Sequence, residues 1–309
     1  MTAASKDTPK KLIERQLGPI EIFYGLDHGK YPQGNSFIVR GEQRSALIDP
    51  SLGLVARKPN QPAADTVLYS HSHEDHLAGA HLYADKPCHM HREDASGLQS
   101  LAGLLAIFGI SGGHQAFIES LHTKYHYQPR PDVQCFEDGE VFELGGVNIT
   151  VVHTPGHTAG HCCFLVQWGP SAAERLVYLG DIDLTGFGPY YGDPASSLLE
   201  FEESMEKLRH IDAQYWLTFH HKGLIEDKDT FLQMLDGYEQ VINNREIRLL
   251  DFISSPKTMA EIVDYRIVYR PGTGDDLVAS IEQHSARMHL ERLIAAGTVT
   301  LQDNYYCTQ

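Results

Sequence analysis

His71-Ser72-His73-Glu74-Asp75-His76 directly follows a short apolar run at residues 66–70. In an extended segment, residues two apart project to the same side, so His71 and His73 can aim both imidazoles at one point. A helix-like pattern begins near Glu74, which lets Asp75 and His76 face a second point close by. Imidazole and carboxylate suit zinc and other borderline divalent ions. The bland alternative is an exposed histidine-rich loop, and three further segments weigh against it.

Each of these segments also turns at the end of an apolar strand. In His153-Thr154-Pro155-Gly156-His157-Thr158-Ala159-Gly160-His161, the Pro-Gly pair forces a tight turn that presents His157. His153 reads as structural, and His161 as a packing or orienting neighbour. Leu179-Gly180-Asp181-Ile182-Asp183 offers Asp181, whose two carboxylate oxygens can bridge two cations. Gly-Asp alone is a common turn, and only the preceding motifs give it weight. Asp183 is the weaker candidate. Phe219-His220-His221-Lys222-Gly223 supplies a last histidine. The count from the strand start favours His220, and His221 stays open. Four strand ends thus deliver His71, His73, Asp75, His76, His157, Asp181 and His220 together, the pattern of a site rather than a surface accident.

Outward from these motifs, residues 20–24, 36–39, 45–48, 66–70, 163–167, 176–179 and 215–219 read as strands. Gly145-Gly146 between 141–144 and 147–152 signals a hairpin. Helices are expected over 198–209 and 228–243, and strands mixed with helices indicate an α/β layered fold. Residues 92–128 read as a helical insertion with a Leu98, Leu101, Leu104, Leu105, Phe108 stripe, broken at Ser111-Gly112-Gly113 and resumed over 115–125. It serves as core packing or as a wall over a pocket. Helices over 245–254, 259–263 and 276–296 and a hairpin of 298–301 with 305–308 then suggest a winged-helix-like unit. The expected organisation is an N-terminal tail over 1–17, a catalytic domain over 18–245 and a C-terminal unit over 246–309.

Composition narrows the partners. The 309 residues are 42% apolar, enough for a proper core. No run has the length of a membrane span and no secretory h-region opens the chain, so a cytoplasmic protein is expected. Lys plus Arg minus Asp plus Glu is 25 − 41 = −16, a surface that repels polyanions. From Arg245 onward the balance is 7 − 9 = −2, without the basic stripe of a DNA reader. Dimerisation or pocket closure suits that unit better than nucleic-acid binding. The five cysteines, odd in number and without CxxC spacing, read as reduced thiols.

The set His71–His76, His157, Asp181 and His220 resembles, in order and spacing, the metallo-β-lactamase superfamily with its αββα sandwich. The resemblance covers about residues 18–245, and the stretch 154–161 looks especially like the glyoxalase II branch. The segment with His289-Leu290-Glu291-Arg292-Leu293 and Gly297 is similar to the winged-helix tail of some members. The resemblance implies one metal on His71, His73 and His157 and a second on Asp75, His76 and His220, with Asp181 bridging. Asp75 and Asp181 become the catalytic candidates, and zinc the leading ion, with iron or manganese as alternatives. The implied activity is hydrolysis of a thioester, ester or lactone by a metal-bound hydroxide, as in hydroxyacylglutathione hydrolases, on a small acyl substrate. A carboxylate at 181, where zinc β-lactamases of the main subclass carry Cys, argues against β-lactamase activity. Leu184 stands where lactonases carry Tyr, and Tyr190 or Tyr191 is left to fill that role. The rivals are a mononuclear iron enzyme similar to persulfide dioxygenases, and a nuclease or nucleic-acid binder acting through the tail.

Overall fold

β1 (Glu14–Leu17), β2 (Ile20–Phe23), β3 (Ser36–Arg40), β4 (Ser45–Ile48), β5 (Thr66–Leu68), β6 (Cys88–His91) and β7 (Gln134–Phe136) pair in sequential order into one sheet. Pairing is antiparallel from β1 to β4 and parallel from β4 to β7. The computed structural model describes residues 14–309 apart from Gly113, Thr273 and Asp275. The expected tail over 1–17 therefore lies outside the described residues up to residue 13. Residues 14–17 correct it, because they form the edge strand β1. Its sequence ERQL has no apolar alternation, and an edge facing water does not need it.

A second sheet holds β8 (Val141–Glu143), β9 (Val147–His153), β10 (Cys162–Trp168), β11 (Glu174–Tyr178), β12 (Tyr215–Leu217) and β13 (Leu224–Ile225), in the order β13-β12-β11-β10-β9-β8. The parallel pair β11 and β12 is joined through the helix Leu198–Arg209, the long crossover such a pair requires. Ser197 accepts a hydrogen bond from Glu200 N and starts that helix.

Apolar alternation places three cores. Ile22, Phe37, Ile48, Val151, Phe164 and Tyr178 fill the space between the sheets. On the outer face of the first sheet, Ile38, Leu47, Val67 and Tyr69 pack against Leu98, Leu104 and Leu121 of the expected helical insertion. On the outer face of the second, Val177 and Trp216 pack against Phe201, Met205, Phe231 and Leu235. Trp216 and Phe231 stack with ring centroids 3.6 Å apart. Burying such a side chain contributes about 1.5–3 kcal/mol. The layers run helix, sheet, sheet, helix, as the α/β sandwich reading expected.

Two local expectations fail. No α-helix begins near Glu74. The chain runs in turns to a short 3-10 segment, Ala80–Tyr83, with His76 N bonded to His73 O. Side chains drawn inward hold that backbone in place of a helical ladder. The break expected near residue 244 does not occur either, since Lys228–Phe252 is one continuous helix. Burial of Tyr238, Ile242, Arg245 and Leu249 along one stripe outweighs the weak propensity of Asn243-Asn244. Beyond it, helices Met259–Tyr265 and Asp276–Ala295 and the hairpin β14 (Val299–Gln302) with β15 (Tyr305–Thr308) share a fourth apolar cluster with Leu249 and Ile253. Among the described residues no helix is long and apolar enough to cross a membrane, and all five cysteines are free.

Candidate metal centre

His71 and His73 lie just past β5, Asp181 just past β11 and His220 just past β12, while His157 sits in the turn joining β9 to β10. These ends meet at one edge of the sandwich. Cys162 N bonds Ser70 O at 2.9 Å and Asn35 N bonds Phe219 O at 2.8 Å, tying the two sheets together there. The His157 turn is clamped by the neighbouring helix entry, where Ser197 N donates to Gly156 O and Ser196 Oγ to His157 O. Gly156 (φ +127°) is required, because a Cβ there would lie 2.3 Å from Phe201 N.

All seven expected ligands fall into two groups: His71, His73, His157 and Asp181, and Asp75, His76 and His220. Within each group the ligand atoms lie within 4.8 Å of one another. His157 Nε2 is 3.2 Å from His71 Nε2, 3.0 Å from His73 Nδ1 and 3.4 Å from Asp181 Oδ2. The other oxygen, Asp181 Oδ1, is 2.9 Å from His76 Nε2 and 3.7 Å from His220 Nε2. Asp181 therefore turns one oxygen to each group. Its side chain is 16% exposed, while the other six residues are buried, so solvent reaches the centre beside Asp181.

The outer nitrogens fix the tautomers. His73 Nε2 donates to Asp193 Oδ2 (2.8 Å), His157 Nδ1 to Tyr190 O (3.0 Å), His220 Nδ1 to Gly29 O (2.8 Å) and His76 Nδ1 to Asp49 Oδ2 (2.8 Å). Ser70 Oγ gives its hydrogen to Asp49 Oδ2, so it accepts from His71 Nδ1 at 3.0 Å. In its neutral form each ring then turns the lone pair of its inner nitrogen to the centre. Asp75 Oδ2 and His220 Nε2 lie 3.0 Å apart, yet Asp75 Oδ2 is buried without a hydrogen-bond partner. When a cation displaces the ring proton, both atoms present lone pairs to it. Lone pairs converging in a buried pocket repel unless a cation lies between them, so the donor set fits two divalent ions.

The electrostatics agree. Burial, helped by the neighbouring rings, depresses His71 and His157, the latter to about 4. Burial also pulls His73 and His220 down, but Asp193 at the first and Asp181 with Asp75 at the second outweigh it and hold both near 9. The negative field that draws protons to those rings draws a divalent cation equally.

Several neighbours of the ligands take their roles only from the fold. Asp49, in the left-handed region at φ 43°, accepts from Ser70 N, Ser70 Oγ, His76 and Tyr178 OH. Asp94 accepts from Ser72 N, Thr158 Oγ1 and Gly160 N, and Asp193 from His73 and Tyr190 OH. A lone aspartate carries no spacing signal. His161 Nε2 accepts from Asp181 N at 3.1 Å, an orienting contact for that carboxylate. A Cβ on Gly180 (φ +53°) would lie 2.5 Å from that same nitrogen. Asp183 joins neither group. It accepts from Thr185 N and Oγ1, and burial together with Asp181 raises it to about 6. Tyr190 borders the centre, with its ring 5.5 Å from His157, whereas Tyr191 OH turns away to His289. Phe108 of the insertion stacks on His73 at 5.0 Å, so the insertion both packs and walls the centre.

Among curated proteins, the chain is 31% identical over 149 residues to an atrochrysone carboxyl ACP thioesterase of Aspergillus fumigatus, covering 48% of this chain and 34% of that protein. A protein of the same name from Emericella nidulans is 26% identical over 216 residues, covering 70% and 59%. The matches thus span between a third and three-fifths of the length of these relatives. Among solved structures, a metallo-beta-lactamase family protein from Thermus thermophilus superposes with a TM-score of 0.67 at 20% identity, covering 97% of this chain and 98% of that one. A beta-lactamase domain protein from Burkholderia ambifaria gives 0.66 at 17%, covering 96% and 93%. At these identities the likeness concerns the fold. The family model of the metallo-beta-lactamase superfamily matches residues 30–221, the span that carries every ligand candidate, and the chain belongs to that superfamily.

Proposed function

We propose that the chain is a dinuclear metal-dependent hydrolase that cleaves acyl thioesters. The observation that carries this reading is Asp181, which turns one oxygen to each of two groups of inward-facing lone pairs. His71, His73 and His157 would hold one ion and Asp75, His76 and His220 the other, and Asp181 offers an oxygen to each. When bound, such ions supply a nucleophile at neutral pH by lowering the pKa of water, and they polarise the scissile carbonyl. Zinc suits the donor set, as do iron and manganese.

The chain's own residues do the positioning. Asp193, Asp49, Tyr190 O and Gly29 O hold the imidazole rings in one tautomer, so no reorganisation is needed when substrate arrives. Phe108 and Tyr190 shield the first group from bulk water, and access remains on the Asp181 side. In the reaction, water adds to the acyl carbon, the C–S bond breaks, and a carboxylic acid and a thiol leave. The thiolate takes up the proton released by the water. The thioester class is supported by the named activity of the Aspergillus and Emericella relatives. A glutathione thioester is one member of that class. We read residues 246–309 as a winged-helix-like unit that closes the pocket.

Elemental analysis together with a panel of thioesters, lactones and phosphodiesters tests the reading. Two ions per chain and thioester turnover abolished by a chelator are expected. One iron per chain with oxygen uptake on a persulfide would sink it in favour of the oxidative rival.

A further inference from the structure

A cavity of about 570 Å³ lies outside the metal centre, in the size range of small-molecule sites. It opens between the helix Lys228–Phe252 and the segment 267–270, and Phe187, Asn244, Arg245, Arg248, Tyr269 and Arg270 line it. Three guanidinium groups on one cavity are notable in a chain of net charge −16. Arg245 is buried and donates to Pro189 O and Phe187 O. Arg248 donates to Ile267 O and Arg266 O. Among the described residues neither donates to a carboxylate, and aromatic faces lie against both, Phe187 and Tyr191 at Arg245 and Tyr265 at Arg248. Neutral carbonyls satisfy the hydrogens and leave the positive potential in the cavity.

The wall is built, not loose. Glu282, fully buried, accepts from Ile267 N, Val268 N and Tyr269 N. Arg266, in the left-handed region at φ 63°, turns the chain into that cradle. The cavity shares a loop with the metal centre. Gly186 and Phe187 line the cavity, and the same loop goes on to Tyr190 and Asp193, which hold His157 and His73. Phe187 and Tyr269 meet edge to face at 5.5 Å.

We infer that this arginine-lined cavity binds a phosphate carried on the thiol arm of the substrate, placing the thioester past Tyr269 at the metal centre. The inference rests on the proposed thioester hydrolysis and names the substrate's handle. The phosphate can belong to a carrier-protein arm or to a free coenzyme thioester. The chemistry at the arginines is the same in both.

The test is calorimetric titration of the metal-loaded protein with three uncleavable thioethers: S-methyl coenzyme A, S-methyl 4′-phosphopantetheine and S-methyl pantetheine. The phosphorylated probes should bind at least about tenfold tighter than the pantetheine probe, and increasingly weakly as salt rises. Arg248→Gln and Arg270→Gln should each weaken the phosphorylated probes by about tenfold while leaving the pantetheine probe where it was. Arg270 is exposed, so its variant carries the test if loss of the Arg248 carbonyl bonds disturbs the wall. Equal affinity for S-methyl coenzyme A and S-methyl phosphopantetheine upholds the cavity and assigns it to a carrier arm. A preference for the coenzyme upholds it and assigns a free thioester. Equal binding of all three probes, or folded arginine variants with unaltered affinity, overturns it. Because the probes are not cleaved, failure here is distinct from failure of thioester turnover in the substrate panel.

Discussion

His73 Nε2 donates to Asp193 Oδ2 across 2.8 Å, and this contact decides which nitrogen of His73 faces the metal centre. With Nε2 occupied, Nδ1 is left as the ligand atom, 3.0 Å from His157 Nε2. Removing the carboxylate frees the ring to change tautomer and to turn. Asp193→Ala should weaken metal affinity by about 10–100-fold, the usual cost of losing such an outer partner. Competition with a chromophoric chelator measures it, with circular dichroism as a check on the fold. Unaltered affinity would show that Asp193 is only a surface of the pocket.

Asp181 tests the two-ion arrangement most directly. Its oxygens lie 3.4 Å from His157 Nε2 and 2.9 Å from His76 Nε2, so one substitution touches both groups. Asp181→Ala should lose most bound metal and cut thioester turnover by more than the about 10–100-fold expected for an outer residue. Metal content by mass spectrometry and kcat on one thioester read the two losses separately. A variant that kept two ions and full turnover would falsify the bridging role.

The ligand set was legible because its members are close in sequence: residues two apart on an extended stretch, or a Pro-Gly turn, announce themselves. Asp49 and Asp94 were not, since each is a single aspartate whose meaning comes only from what folding brings to it. Strands followed the same division. β8 and β9 were readable from alternation around Gly145-Gly146, whereas β6, with the sequence CHMH, puts two histidines where apolar residues signal a strand. Its place between β5 and β7 is set by pairing and not by propensity. The helix through residue 244 likewise needed knowledge of its packing face.

His220 and His221 were indistinguishable by residue type. The structure turns His220 Nε2 toward Asp181 and Asp75, and gives His221 a φ of 61° and a partly exposed side chain. His220→Ala should reduce the metal content to about one ion per chain, since the second group loses one of its three ring and carboxylate donors. His221→Ala should hold both ions, with at most a small stability change. Paired metal counts on the two variants decide, and the reverse pattern would reassign the ligand.

Glu282 gives a prediction away from the metals. Its carboxylate meets three consecutive backbone N–H groups at 2.9, 3.1 and 2.6 Å in a site closed to water. Those donors have no alternative acceptor if the side chain is cut back, and each unsatisfied buried group costs about 1–3 kcal/mol. Glu282→Ala should therefore destabilise by about 3 kcal/mol or more and lower the melting temperature clearly. Glu282→Gln keeps one acceptor oxygen but brings an NH2 against the same row of donors, so its loss should be smaller than that of Ala yet present. Thermal unfolding of the two variants orders them. Equal melting temperatures for wild type and Glu282→Ala would mean that water replaces the carboxylate, and that the segment 267–269 is held by its apolar contacts alone.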